Sequence, residues 1–153
     1  MKATKNSFYH ATPEGEGGIS AFYLAGPTAK EVILNHFTSP KGKKVNLESG
    51  RFVVGHLQSP NGNIDHVILA CWPEVQDSKS ELNREVVELN CHGGYAVRES
   101  LRSFLMSLGF AESNGAGLVF QSSLTGSKDL IHAEAARMLP ECITIKGSTF
   151  LAH

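Results

Sequence analysis

The 153-residue sequence has only three cysteines, Cys71, Cys91 and Cys142, and none of them forms a C-x-x-C pair. An odd number at wide spacing argues against a disulfide framework and against a zinc ribbon. The seven histidines include no H-x-x-x-H or H-E-x-x-H spacing, so no metal cofactor is expected. Blocks of positive charge are also lacking. Lys and Arg number 14 against 15 Asp and Glu, for a net charge of −1. Strong direct nucleic-acid binding is therefore not expected. The short run KGKK at 41–44 reads as a solvated loop, since three lysines alone carry little phosphate affinity. No apolar run approaches bilayer-spanning length, and MKATKNSFYH lacks the apolar core of a signal peptide. The expectation is a cytoplasmic protein with no membrane partner. Finally, no G-x-x-x-x-G-K followed by Ser or Thr occurs. Without that phosphate-cradling loop there is no basis for binding or hydrolysing GTP.

What is present is an ordinary globular composition, 41% hydrophobic and 19% charged, on a chain long enough to bury one core. Residues 7–11 read as a short strand, 12–18 as a glycine-rich loop and 19–26 as a strand. Pro27 suits the first turn of a helix whose apolar face is Ala29, Val32, Ile33 and Phe37. Strands follow at 51–58 and 64–72, and the Asn-Gly in SPNGN between them signals a hairpin. A polar connection at 73–83 leads to a strand at 84–91 and a helix at 95–108, capped by Gly109. A strand at 117–124 and an alanine-rich helix at 128–139, ended by Pro140, complete the pattern. Hairpin strands beside strand–helix units indicate an α+β fold with a mixed or antiparallel sheet and two to three helices.

The stretch VVELNCHGGY, 86–95, concentrates chemistry-bearing side chains. The strand ends in CHGG, and Val97, Leu101, Phe104, Leu105 and Leu108 then repeat with helical period. Glycine at such a strand-to-helix turn permits close approach of another backbone or a ligand. Cys91 and His92 are adjacent on an extended strand and point to opposite faces, which makes them a poor nucleophile–base pair. Two readings stay open for the turn, a close-packed corner with a buried Cys or a surface that faces a ligand. Glu88 is either a ligand-binding carboxylate or a strand acid paired with a basic neighbour. Trp72 and Phe120 read as core residues.

Three stretches together resemble one family. ATPEGEGGISAFYLAGPTA is similar to the opening of the tRNA-modification GTPases called MnmE or TrmE, which carry T-P-P-G-R/K-G-G/A-I and then a strand ending R-x-S-G-P. REVVELNCHGG resembles that family's G-E-D-x-V-E-x-x-C/G-H-G-G. SLTGSKDLIHAEAARML resembles its F-L-N-G-K-L-D-L-x-x-A-E-A. The resemblance implies an N-terminal α+β domain over residues 1–125, like the folate-binding domain of the glycine-cleavage T-protein. Residues 126–153 match only the start of the family's helical domain. It further implies a homodimer, 5-formyl-tetrahydrofolate as ligand, and a link to tRNA modification through a separate GTPase or other partner. No catalytic residue is implied for this chain alone, because the family's P-loop and its C-x-G-K ending have no counterpart here.

The implied ligand-binding residues are Glu88, Cys91, His92, Gly93 and Gly94, with Tyr23 and Arg84 beside them. Several positions depart from the family pattern. Glu16 stands where a basic residue is usual, and Tyr23 replaces a strand arginine. Gly117 and Gln121 replace an expected glutamate and arginine. A pterin edge of N–H donors matches a carboxylate such as Glu88. A folate tail carries carboxylates that favour arginine, and losing one such pair weakens binding about ten- to a hundredfold. Either weakened folate binding or a decayed site in a dimerisation module is expected.

Overall fold

Period-2 alternation builds the longer strands into one sheet. The computed structural model describes residues 5–15, 17–72 and 85–113. The strand at 117–124, the helix at 128–139, the domain boundary near 125, and Glu16, Arg84, Gly117 and Gln121 lie outside the described residues. In chain order the elements are β1 (Ser7–His10), β2 (Ile19–Ala25), α1 (Ala29–Leu34), β3 (Phe37–Thr38), β4 (Phe52–Ser59), β5 (Gly62–Trp72), β6 (Val86–His92), α2 (Tyr95–Ser107) and β7 (Ala111–Glu112). The described strands form one mixed sheet in the order β3-β4-β5-β6-β2-β1-β7. Every pair is antiparallel except β1 with β7. The α+β class expected from the sequence is the architecture observed.

One sheet face is dry. Phe22 and Leu24 of β2, Val67 and Leu69 of β5, and Val87 and Leu89 of β6 are buried there. Ala29 and Ile33 of α1 and Leu101, Phe104 and Leu105 of α2 join the same core cluster. Helix α2 ends as the sequence indicated. Gly109 takes φ +85°, its N–H donates to the Met106 carbonyl at 3.0 Å, and the Phe110 N–H donates to Leu105 at 3.1 Å. These two bonds are the Schellman pattern, and buried Phe110 completes it.

Three local details differ from the sequence reading. Phe37 is not on the face of α1. The helix stops at Leu34, and Phe37 pairs with Leu57 in β3. The His36 carbonyl takes the Gln58 N–H at 2.8 Å, which draws the chain onto the sheet edge. In the hairpin, Ser59 pairs with Gly62, so the turn is Pro60–Asn61 rather than Asn-Gly. Leu57 then pairs with Asp65 and Gln58 with Asn63, leaving Ile64 as an extra residue. That bulge sets the phase of β5 and puts Asp65 on the same face as buried Leu57. Third, β3 and β7 have two residues each, too few to show a period in sequence.

Candidate functional site

The other sheet face is not covered by any described element, and it carries the residues singled out by sequence. Tyr23 and Glu88 are direct cross-strand partners on β2 and β6; Tyr9 flanks Tyr23, and Ala70 flanks Glu88. Beside this row lie Trp72, Ile68, Val54 and Phe52, which are 39%, 39%, 38% and 68% exposed. Trp72 was expected in the core. Alternation on β5 sends Cys71 inward and Trp72 outward instead.

No described basic residue is in contact with Glu88. Its two oxygens accept one N–H each, from Trp72 Nε1 at 2.7 Å and from Asn90 Nδ2 at 2.8 Å. Each carboxylate oxygen has room for more than one hydrogen bond, so among the described residues an acceptor position remains on each. Burial raises the Tyr23 phenol above its usual pKa, and the charges of Glu88 and Tyr9 raise it further. Tyr23 is therefore protonated at neutral pH.

The CHGG turn closes one end of this face. Cys91 points into the core and is 3% exposed. Burial pushes its thiol up to about 12, with the Asp65 charge adding to the rise. A thiol held so high supplies no thiolate at neutral pH. His92 follows Cys91 with its side chain 67% exposed, and no hydrogen bond joins its ring to the Cys91 thiol among the described residues. Gly93 is buried against the glycine loop, and its N–H donates to the Gly18 carbonyl at 3.1 Å. Gly94 caps α2, accepting the Arg98 N–H at 3.1 Å. Buried Arg98 reaches back to donate to the Gly15 carbonyl and lies 3.6 Å from Glu14. The GEGG loop is thus pinned to α2 and to the turn.

Sequence reasoning missed Asp65. Its Oδ2 accepts the His92 backbone N–H at 2.7 Å, and its Oδ1 meets His92 Nδ1 at 2.7 Å. Burial raises the Asp65 carboxyl, but hydrogen bonds from the His92 backbone and ring and from the His66 backbone outweigh it, so its pKa is lowered overall. An ionised Asp65 accepts a hydrogen bond from His92 Nδ1–H and so fixes the orientation of the ring. A signal was available. Asp65 falls in the same alternation phase as Val67, Leu69 and Cys71, and a strand acid among core positions demands a partner. Among the described residues no group of three or more His, Cys, Asp or Glu is arranged to hold a metal ion, and no helix is long and apolar enough to cross a membrane.

These features define a class, an α+β domain whose sheet keeps one face for a core and presents a carboxylate platform on the other. The family model for the GTP-binding protein TrmE N-terminus matches residues 8–117, and the chain belongs to that family. It is 29% identical over 144 residues to a tRNA modification GTPase MnmE of Clostridioides difficile, covering 94% of this chain and 30% of that protein. It is 32% identical over 126 residues to the MnmE of Chloroflexus aurantiacus, covering 82% and 27%. With the MnmE of Koribacter versatilis the identity is 30% over 137 residues, covering 88% and 29%. The chain spans less than a third of the length of these relatives.

Proposed function

We propose that the chain is a small-molecule-binding domain that takes a folate-like pterin, such as 5-formyl-tetrahydrofolate, on the platform around Glu88, and that it serves tRNA modification together with a GTPase. The observation that carries this reading is the Glu88 carboxylate, set against Tyr23 on the face that no described element covers, with one described donor on each oxygen. Two parallel N–H donors of a pterin edge fit the remaining acceptor positions. Trp72 offers an indole face beside them, and the His92–Gly93–Gly94 turn lies about 13 Å further along the strand, within reach of an extended ligand. Cys91 supports the turn from the core side, and Arg84 precedes β6 in sequence. The relatives' printed name, tRNA modification GTPase, supplies the link to tRNA.

Calorimetry with 5-formyl-tetrahydrofolate on three proteins tests this. The parent should bind weakly. Glu88→Gln should bind about ten- to a hundredfold more weakly, because the amide offers N–H donors to a donor edge. Tyr23→Arg should bind more tightly than the parent by a similar factor, through a cation near the folate carboxylates. No binding by any of the three at millimolar ligand would remove the folate reading.

A second reading is favoured by the exposed Phe52, Val54, Ile68 and Trp72, an apolar stretch of β4 and β5 suited to covering by a second copy. On this reading the domain is a dimerisation or scaffolding module. Sedimentation equilibrium at micromolar concentration should give about twice the monomer mass, and Phe52→Glu should lower it toward the monomer by desolvating a charge in the contact. A parent that sediments as a monomer removes this reading and leaves the folate test untouched.

A further inference from the structure

A second feature of the uncovered face lies away from Glu88. His56 of β4 and His66 of β5 are direct cross-strand partners. Their ring centroids are 4.7 Å apart, with the planes tilted by 33°. His66 is exposed and His56 half-buried. Directly opposed residues on antiparallel strands hold their Cβ atoms about 5 Å apart. The backbone therefore fixes this spacing, and little side-chain ordering remains to oppose a ligand that needs both rings. Neither imidazole takes a hydrogen bond or ion pair from a described residue.

We propose that His56 and His66 form a two-histidine site for a divalent transition metal, with Cu2+ as the best-matched ion. Imidazole nitrogen suits copper, nickel and zinc, and at equal ligands copper binds most strongly of the three. Metal–nitrogen bonds of about 2.0–2.1 Å, meeting at about 90–110°, put two ring centroids about 4.5–5.3 Å apart. The observed 4.7 Å falls in that interval. Rotation about the two Cβ–Cγ bonds turns one nitrogen of each ring toward the shared ion.

The nearby acid does not join. Asp65 is adjacent to His66 in sequence, but both its oxygens are committed to His92 at 2.7 Å, on the core side of the strand. His92 in turn is held by Asp65 through Nδ1. The protein thus supplies two ligands, and water or an oxygen ligand completes the coordination. The absence of H-x-x-x-H from the sequence does not bear on this site, because the β4–β5 hairpin, and not a helix turn, brings the two side chains together.

Cu2+ titration of the full chain in a weakly coordinating buffer tests the site, followed by calorimetry and by electron paramagnetic resonance. One tight Cu2+ per chain with two equatorial imidazole nitrogens is expected. His56→Ala and His66→Ala each turn a chelate into a single ligand, so each should lower affinity about a hundredfold and leave a one-imidazole spectrum. His36→Gln, which removes a ring packed against Phe104 of α2 and not beside the pair, should leave both affinity and spectrum unchanged. Both alanine variants remove partly or fully exposed rings, and far-ultraviolet circular dichroism checks that they fold. If the two alanine variants fold and bind Cu2+ as the parent does, or if the parent spectrum shows one imidazole, the assignment is overturned. Loss of binding in His36→Gln alone would overturn it as well, by placing the ion elsewhere.

Discussion

Gly93→Ala should cost about 2–4 kcal/mol of stability, at the upper end for a one-carbon addition. The cause is close backbone contact. A Cβ on Gly93 would drive into the Gly17 carbonyl oxygen and come within 2.7 Å of its carbon and 3.0 Å of the Ile19 nitrogen. These atoms belong to backbone, which cannot rotate away as a side-chain tip can. The Gly93 N–H also donates to the Gly18 carbonyl, so displacing the loop breaks a bond as it relieves the overlap. Gly94 supplies the control. It has φ −65°, and a Cβ there meets nothing within 4 Å. Gly94→Ala should cost below about 1 kcal/mol, the ordinary loss of a less favourable helix cap. Urea unfolding of the two variants separates them. Equal destabilisation would mean that the loop does not rest on the turn as described.

Asp65→Ala should cost about 2–4 kcal/mol at neutral pH, because it removes two charge-assisted hydrogen bonds and leaves a half-buried N–H without an acceptor. The loss should depend on pH in a definite direction. A carboxyl whose folded pKa is lowered stabilises the fold fully above its unfolded pKa of about 3.9, and that contribution fades as pH falls through the folded value. Parent and Asp65→Ala should therefore differ most near pH 7 and draw together below about pH 4. Asp65→Asn should fall between them, since it keeps one acceptor oxygen for the His92 N–H. A gap between parent and Asp65→Ala that stays constant from pH 7 to pH 3 would show that Asp65 contributes by shape and not by charge.

The sequence reading did well where structure is local. Alternation in ISAFYLA and VVELNCH placed β2 and β6 and made Cys91 buried and His92 exposed. Helical period and Gly109 placed α2 and its end. The glycine turn and the ordered motifs indicated the family. The reading failed where a long-range contact overrode local pattern. Phe37 continues the helical period of α1, yet the edge of β4 captures the backbone at His36. Trp72 is large and aromatic, which suggests a core residue, yet its phase on β5 faces it outward.

Strand and helix identity, the two-faced character of each strand and the presence of Glu88 and the glycine turn were thus determined by sequence alone, because each follows from residue type and spacing within one element. Tertiary structure alone decided what these groups meet. Tyr23 reaches Glu88, Trp72 donates to it, and Asp65 holds His92 only because strand order and register join segments far apart in the chain. The same holds for His56 and His66, whose spacing depends on the hairpin and on the bulge at Ile64. Side-chain chemistry is written residue by residue, but cross-strand partnership is a property of the sheet. A single-residue change of register would turn every one of these groups to the other face.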